Sequence, residues 1–200
     1  MDRYATALAA LCADALVYPC YLTRRELSSV LSAPQDGSSH TPAPSTRGHL
    51  SAAEQADRAA KGQIPAWRLD SRKALAGTGP LAWTSHDGSR HKVEAEQIGD
   101  VILGRRDIAA SYHLSVVLDD ADSQIGLVVR GEDLTASTPV HRLLQALLGL
   151  PVPVYLHHPL VRDETGRRLA KRDQDRSLRT YREAGLSPQD VIALMPDFII

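Results

Sequence analysis

Apolar residues recur with a helical period through the first third of the chain and then switch to short runs of the kind found in strands. From Asp2 to Leu16 the sequence is rich in Ala and Leu, with Tyr4, Leu8, Leu11 and Ala15 on one helical face and Pro19 as the stop. Thr23-Arg24-Arg25-Glu26 has the form of a capping box, in which a hydroxyl and a carboxylate three residues apart satisfy backbone N–H groups at a helix start. It predicts a second helix reaching about Leu31. Positions 33–49 are rich in Pro, Ser, Gly and Thr without any period, and predict a loop. Ser51-Ala52-Ala53-Glu54 is a further capping box, opening a helix that ends near Gly62.

From Ile64 onward the pattern predicts strands at Ile64–Leu69, Pro80–Thr84 and Lys92–Ala95, with His86-Asp87-Gly88 as a turn. Asp100–Leu103, Tyr112–Leu118 and Leu127–Val129 are tighter apolar, β-branched runs, which predict strands inside a sheet covered on both faces. Ser137-Thr138-Pro139 opens a helix whose stripe is Leu143, Leu144, Leu147 and Leu148, and Gly149 closes it. Val152–Leu156 returns to strand, so a strand–helix–strand order predicts a right-handed parallel crossover. Helices follow after Gln174, over Ser177 to Ala184, and after Ser187-Pro188.

Composition narrows the classes. Hydrophobic residues at 43% suffice for a core, but aromatics at 4% leave it to Leu, Val, Ile and Ala. The 23 Lys and Arg against 24 Asp and Glu give a net charge of −1, which excludes a whole-chain basic field for nucleic acid. Any RNA contact would use a local patch. Cys12 and Cys20 cannot build a disulfide framework or a four-cysteine metal site. No secretory leader is visible, and no apolar run nears the ~20 residues that span a bilayer. The expectation is a soluble, cytoplasmic, monomeric protein without a membrane partner.

The chain lacks G-x-x-x-x-G-K, G-x-G-x-x-G, G-x-S-x-G and H-E-x-x-H patterns, so no self-contained active site of those kinds is present. What it has is a basic loop, Arg167-Arg168-Leu169-Ala170-Lys171-Arg172-Asp173, between a strand-like and a helix-like run. A lysine there suits a polyphosphate, although most short basic runs are solvated faces. Tyr112 opens one predicted strand and Arg130 closes the next. At a strand's carboxyl end, Arg130 could clamp a carboxylate through two parallel hydrogen bonds, and the Tyr112 hydroxyl could fix an amine or carboxylate. The competing reading is a surface ion pair of Arg130 with Asp119, Asp120 or Glu132. Adjacent His157 and His158 point to opposite faces of a strand and make a poor chelate, one packed and one exposed.

The order Tyr112…Asp119-Asp120…Arg130-Gly131-Glu132-Asp133-Leu134…Ser137-Thr138-Pro139…His157-His158-Pro159-Leu160…Arg168-Leu169-Ala170-Lys171-Arg172 resembles the class I glutamyl-tRNA synthetase family. It is most similar to the short glutamyl-queuosine tRNA(Asp) synthetases. The resemblance implies an α/β fold, the C-terminal half of a Rossmann-type catalytic domain preceded by an α+β connective, acceptor-binding insertion. Residues 1–97 would be that insertion, 98–173 the second half of the catalytic fold, and 174–200 C-terminal helices. The implied activity is that of a ligase. It activates L-glutamate with ATP, with Mg2+ expected, and attaches the glutamate to queuosine in tRNA(Asp).

Carried over, Tyr112 and Arg130 match the glutamate-binding residues, and Arg168, Leu169, Ala170, Lys171 and Arg172 match the KMSKS-type loop. Lys171 stands at the ATP-binding lysine, where it would stabilise charge developing on the phosphates. Two departures stand out. The HIGH motif and part of the glutamate site have no counterpart, so the resemblance implies a missing N-terminal half as partner. Met1 would then be an internal methionine, or the gene split or decayed, and the chain alone inactive in adenylation. Of the family's zinc ligands only Cys20 remains, and one thiol cannot hold structural zinc. The alternatives are a C-terminal catalytic fragment of a glutamyl-tRNA synthetase and a non-catalytic tRNA-binding remnant. A remnant would touch RNA through residues such as Arg24, Arg25, Arg105, Arg106, Arg167 and Arg168, or fold poorly along an unpaired sheet edge.

Overall fold

The computed structural model describes residues 2–23, 25–27, 45–105, 110–162, 166–167 and 177–194. Helix α1 (Asp2–Ala13) is shorter than the sequence pattern predicts. Ala15 takes a left-handed φ of 54°, and the N–H groups of Ala15 and Leu16 turn back to the carbonyls of Cys12 and Leu11. The chain then enters β1 (Val17–Cys20), so Pro19 sits inside a strand instead of stopping a helix. That strand lies at one edge of an antiparallel sheet with β2 (Ala66–Leu69) in the middle and β5 (Ile102–Gly104) beyond. An edge tolerates a residue that has no N–H to give.

Both predicted capping boxes form. Thr23 N–H donates to Glu26 Oε2 (2.7 Å) while Glu26 N–H donates to Thr23 Oγ1 (3.2 Å), and residues 25–27 are helical. The remainder of that predicted helix lies outside the described residues. Ser51 and Glu54 start α2 (Ala52–Ala60) in the same way. The two starts are tied together by Arg58, whose guanidinium donates to both oxygens of Glu26 (2.6 and 3.0 Å). These bonds hold the Glu26 carboxyl down at about 2. Helix α3 (Ser71–Thr78) follows β2, with Asp70 as its cap.

The hairpin of β3 (Ala82–Thr84) and β4 (Arg90–Lys92) turns through His86, Asp87 and Gly88 as predicted. Its second strand ends earlier than the pattern predicts, and residues 95–97 form a 3-10 turn. Trp83 stacks on His91 (4.1 Å between ring centres) and meets Tyr155 edge-on.

The largest correction falls on Tyr112–Leu118. These residues form a helix, α4 (Tyr112–Asp122), capped by Ser111, whose hydroxyl accepts from Leu114 N–H. The buried positions are Leu114, Val117 and Leu118, a helical stripe and not the alternation of a strand. Tyr112 therefore opens a helix. Two β-branched valines in a short apolar run mimic a strand, and the packing partner overrides that propensity. The partner is α5 (Thr138–Leu147), which buries Val140, His141, Leu143 and Leu144.

On either side of α5 lie β6 (Leu127–Gly131) and β7 (Val154–His158), which pair. Val154 N–H donates to Gly126 O where both strands begin, and Arg130 meets His157 near where both end, so the strands run parallel as predicted. Among the described residues the strands fall into three small sheets. Ser85 and Tyr155 make a parallel bridge between the β3–β4 hairpin and β7.

Contacts divide the chain into two compact units. The first comprises 1–128 and 136–155, the second 129–135 and 156–200. The first holds one aliphatic core, with Leu69, Leu103, Leu114, Leu143 and Leu144 fully buried. In the second, Gly131 is a place of close approach: a Cβ there would lie 2.6 Å from Asp133 Oδ1 and 3.0 Å from Leu160 Cδ2. The helices α6 (Leu178–Glu183) and α7 (Pro188–Ala193) start at Ser177 and Ser187 as predicted, each with its serine hydroxyl as cap.

Candidate functional site

In the first unit, Tyr112 stands at the first position of α4, and its residue is 48% exposed. Its ring packs edge-on against two imidazoles, His113 at 5.7 Å and His141 at 5.6 Å between centres. The imidazoles touch each other, His113 Nδ1 lying 3.1 Å from His141 Nε2. His141 is 1% exposed, in the middle of the buried face of α5. One turn on, Gln145 donates from Nε2 to the Tyr155 hydroxyl (2.9 Å). Tyr112 is the exposed ring of this stack, and a tyrosine hydroxyl can give and take a hydrogen bond.

The histidines escaped the sequence reading. One signal was available: His141 falls on the same helical stripe as Leu144 and Leu148 and must therefore be buried. A buried imidazole needs a polar partner.

In the second unit, Arg130 is 9% exposed at the carboxyl end of β6, where the sequence placed it. Its Nε donates to His157 Nε2 at 3.1 Å. An arginine cannot accept, so this bond fixes His157 with its lone pair on Nε2 and its proton on Nδ1. The bond also restrains the plane of the guanidinium. Two of the carboxylates considered as ion-pair partners have bonds elsewhere. Asp119 accepts from the Tyr4 hydroxyl (2.6 Å), and Glu132 accepts from Leu160 N–H while facing Arg162 at 3.9 Å. His157 and His158 bond to different partners, His158 giving its Nδ1–H to Pro159 O (2.8 Å), but both are half-buried, so the expected split into one packed and one exposed histidine does not occur.

The basic loop Arg168, Leu169, Ala170, Lys171 and Arg172 lies outside the described residues, as do Arg24 and Arg106. Arg25, Arg105 and Arg167 are exposed. Cys20 is buried and accepts from Thr46 Oγ1 at 3.4 Å. No group of three or more His, Cys, Asp or Glu side chains gathers around a metal-sized gap among the described residues. Cys12 is half-buried, and burial pushes its thiol upward, away from the reactive thiolate.

Comparison with known proteins gives a consistent picture. Residues 1–196 match the family described as tRNA synthetases class I (E and Q), catalytic domain. The chain is 43% identical to a glutamyl-Q tRNA(Asp) synthetase of Rhodobacter capsulatus, over 98% of this chain and 72% of that protein. It is 33% identical to a glutamate–tRNA ligase of Burkholderia thailandensis, over 96% of this chain and 40% of the ligase. Against further glutamyl-Q tRNA(Asp) synthetases it spans only 58 to 62% of their length. The crystal structure of a glutamate–tRNA synthetase from Elizabethkingia anophelis superposes with a TM-score of 0.66 at 22% identity, covering 87% of this chain and 36% of that one. At that identity the likeness establishes the α/β fold of the class I catalytic domain.

Proposed function

Since the chain belongs to the class I tRNA synthetases of the E and Q type, as part of their catalytic domain, we propose that it serves the ATP-dependent activation of L-glutamate and its transfer to queuosine in tRNA(Asp). The observation that carries the choice within the family is the identity gap: 43% to a glutamyl-Q tRNA(Asp) synthetase against 33% to a glutamate–tRNA ligase. In this reading the buried guanidinium of Arg130 takes a carboxylate of glutamate. The Tyr112 hydroxyl takes the amine or carboxylate.

Both groups suit that work. A desolvated guanidinium binds a carboxylate far more strongly than one in water, because Coulomb attraction grows as the effective dielectric falls. A tyrosine hydroxyl orients the ligand without adding charge. Lys171, within Arg168–Arg172, stabilises the phosphates of ATP as pyrophosphate leaves, with Mg2+ bound to the nucleotide. Residues 1–97 serve as the connective insertion, 98–173 as the catalytic half and 174–200 as closing helices. The protein works in the cytoplasm as a monomer, with a HIGH-bearing segment supplying the other wall of the ATP site. Among the described residues no helix is long and apolar enough to cross a membrane.

The test is transfer of labelled glutamate by this chain combined with a HIGH-bearing half, on tRNA(Asp) with and without queuosine. Label is expected only on the queuosine-containing tRNA, and on the base. Arg130→Lys should raise the glutamate requirement at least tenfold, because a lysine cannot reproduce a bidentate clamp. Label at the 3′ end of tRNA would establish the glutamyl-tRNA synthetase reading instead. RNA binding without transfer would establish the non-catalytic module.

A further inference from the structure

The exposed tyrosine of α4 packs against a part-buried hydrogen bond between two histidines. Tyr112 and His113 are neighbours on α4, whereas His141 belongs to α5, so the contact between Nδ1 and Nε2 at 3.1 Å ties the helices together where Tyr112 emerges. The two rings are tilted by 55° with centres 5.3 Å apart, and each presents an edge-on contact to the Tyr112 ring. A tyrosine has two rotatable bonds before its rigid ring, so two ring contacts from different helices suffice to fix where its hydroxyl points.

Burial makes the arrangement specific. At 1% exposure His141 has almost no access to solvent, so the contact with His113 is a bond that water cannot readily replace. His113 is only half-buried and adjacent in sequence to Tyr112; by itself it would move with the first turn of α4. Its tether to α5 makes it a fixed wall for the tyrosine.

We propose that His141 is a positioning residue for Tyr112, acting through its hydrogen bond to His113 and its own ring contact to aim the tyrosine hydroxyl at L-glutamate. The proposal rests on Tyr112 being a glutamate contact. Loss of the tether frees the ring among its rotamers, and re-ordering one side chain on binding weakens glutamate about three- to tenfold. His141→Leu keeps an apolar side chain in the buried position and removes the bond. His141→Gln places an amide that can still bond to His113.

The experiment labels the six tyrosines of the chain with 3-fluorotyrosine, assigns the Tyr112 fluorine line with Tyr112→Phe, and measures by calorimetry the glutamate affinity of the chain combined with a HIGH-bearing half. His141→Leu should move or broaden the Tyr112 line and weaken glutamate three- to tenfold, and His141→Gln should return affinity to within about twofold of wild type. The proposal is overturned if the line and the affinity stay unmoved in His141→Leu, or if His141→Gln rescues neither. A lowered melting temperature with unchanged glutamate affinity also overturns it, since the histidine would then serve stability alone. Equal glutamate binding by wild type and Tyr112→Phe, or none by either, removes the underlying assignment of Tyr112. That arm separates failure of the premise from failure of the tether.

Discussion

The Tyr18 hydroxyl makes three buried polar contacts, and Tyr18→Phe tests whether its network holds the N-terminal part of the first unit together. The hydroxyl donates to Asp100 Oδ2 at 2.7 Å, accepts from Thr46 N–H at 3.2 Å and lies 3.1 Å from Thr46 Oγ1. All three residues are buried, at 7, 6 and 5% exposure for Tyr18, Thr46 and Asp100. Asp100 receives two further bonds from Ser71, through its N–H and its hydroxyl, so the network joins β1, the start of α3 and the 45–47 segment. Arg47 stacks its guanidinium over the Tyr18 ring at 4.2 Å.

Deleting the hydroxyl removes a hydrogen bond to a charged group, worth about 1.5–3 kcal/mol, and leaves the Thr46 N–H without its acceptor, at about 1–3 kcal/mol. A cleft of about 500 Å³ lined by Ser45, Ser71 and Asp100 adjoins the site. Water from that cleft reduces the second penalty, so the net expectation is about 2–3 kcal/mol. For a chain of this size that corresponds to a fall in melting temperature of about 4–12 °C. Urea denaturation followed by the fluorescence of the two tryptophans, with calorimetry in parallel, measures it. A loss below about 0.5 kcal/mol, with the slope against urea unchanged, would refute the reasoning, since no buried bond to a charged group is that weak.

The same hydroxyl sets an alkaline limit: burial pushes Tyr18 above the ordinary tyrosine range, so its contribution is complete below about pH 10 and is lost as pH rises through the raised value. Wild type should therefore lose stability relative to Tyr18→Phe only above that pH, and parallel curves would count against it. Glu26 has the opposite sign, since its carboxyl is lowered to about 2 by Arg58 first and by the Thr23 cap second. Its contribution is present above about pH 4.5 and disappears toward about pH 2, so acid-unfolding curves of wild type and Glu26→Gln should differ at neutral pH and converge at the acid end. Ala15→Gly relieves a left-handed alanine at the end of α1 and should raise stability by about 0.5–1 kcal/mol, read as a higher melting temperature; a drop would show that the turn is not strained.

Much of the architecture was legible because its signals are local. Capping boxes at Thr23 and Ser51 are short-range chemistry, and a hydroxyl three residues from a carboxylate closes the same rings wherever the chain goes. Pro139 and Gly149 framed α5 for the same reason, and the β3–β4 hairpin followed from its turn residues. Pro19 misled because a proline stops a helix but is tolerated on an edge strand, and edge position is a property of the sheet. Tyr112–Leu118 misled because valines fit both a strand and a helix stripe, and only the buried face of α5 selects the helix.

The candidate site divides along the same line. The sequence by itself determined the family, through the ordered set Tyr112, Asp119-Asp120, Arg130-Gly131-Glu132-Asp133, His157-His158 and the Lys171 loop, and it set Arg130 at the end of a strand. Those assignments depend on residue types and spacing, which a linear chain carries in full. Only the tertiary structure decided what holds the candidate groups. It placed His157 behind Arg130 and brought His113 and His141, 28 positions apart, into contact beneath Tyr112. A bond between residues that distant depends on how two helices pack, and packing is fixed by the whole core at once, not by any segment of the chain.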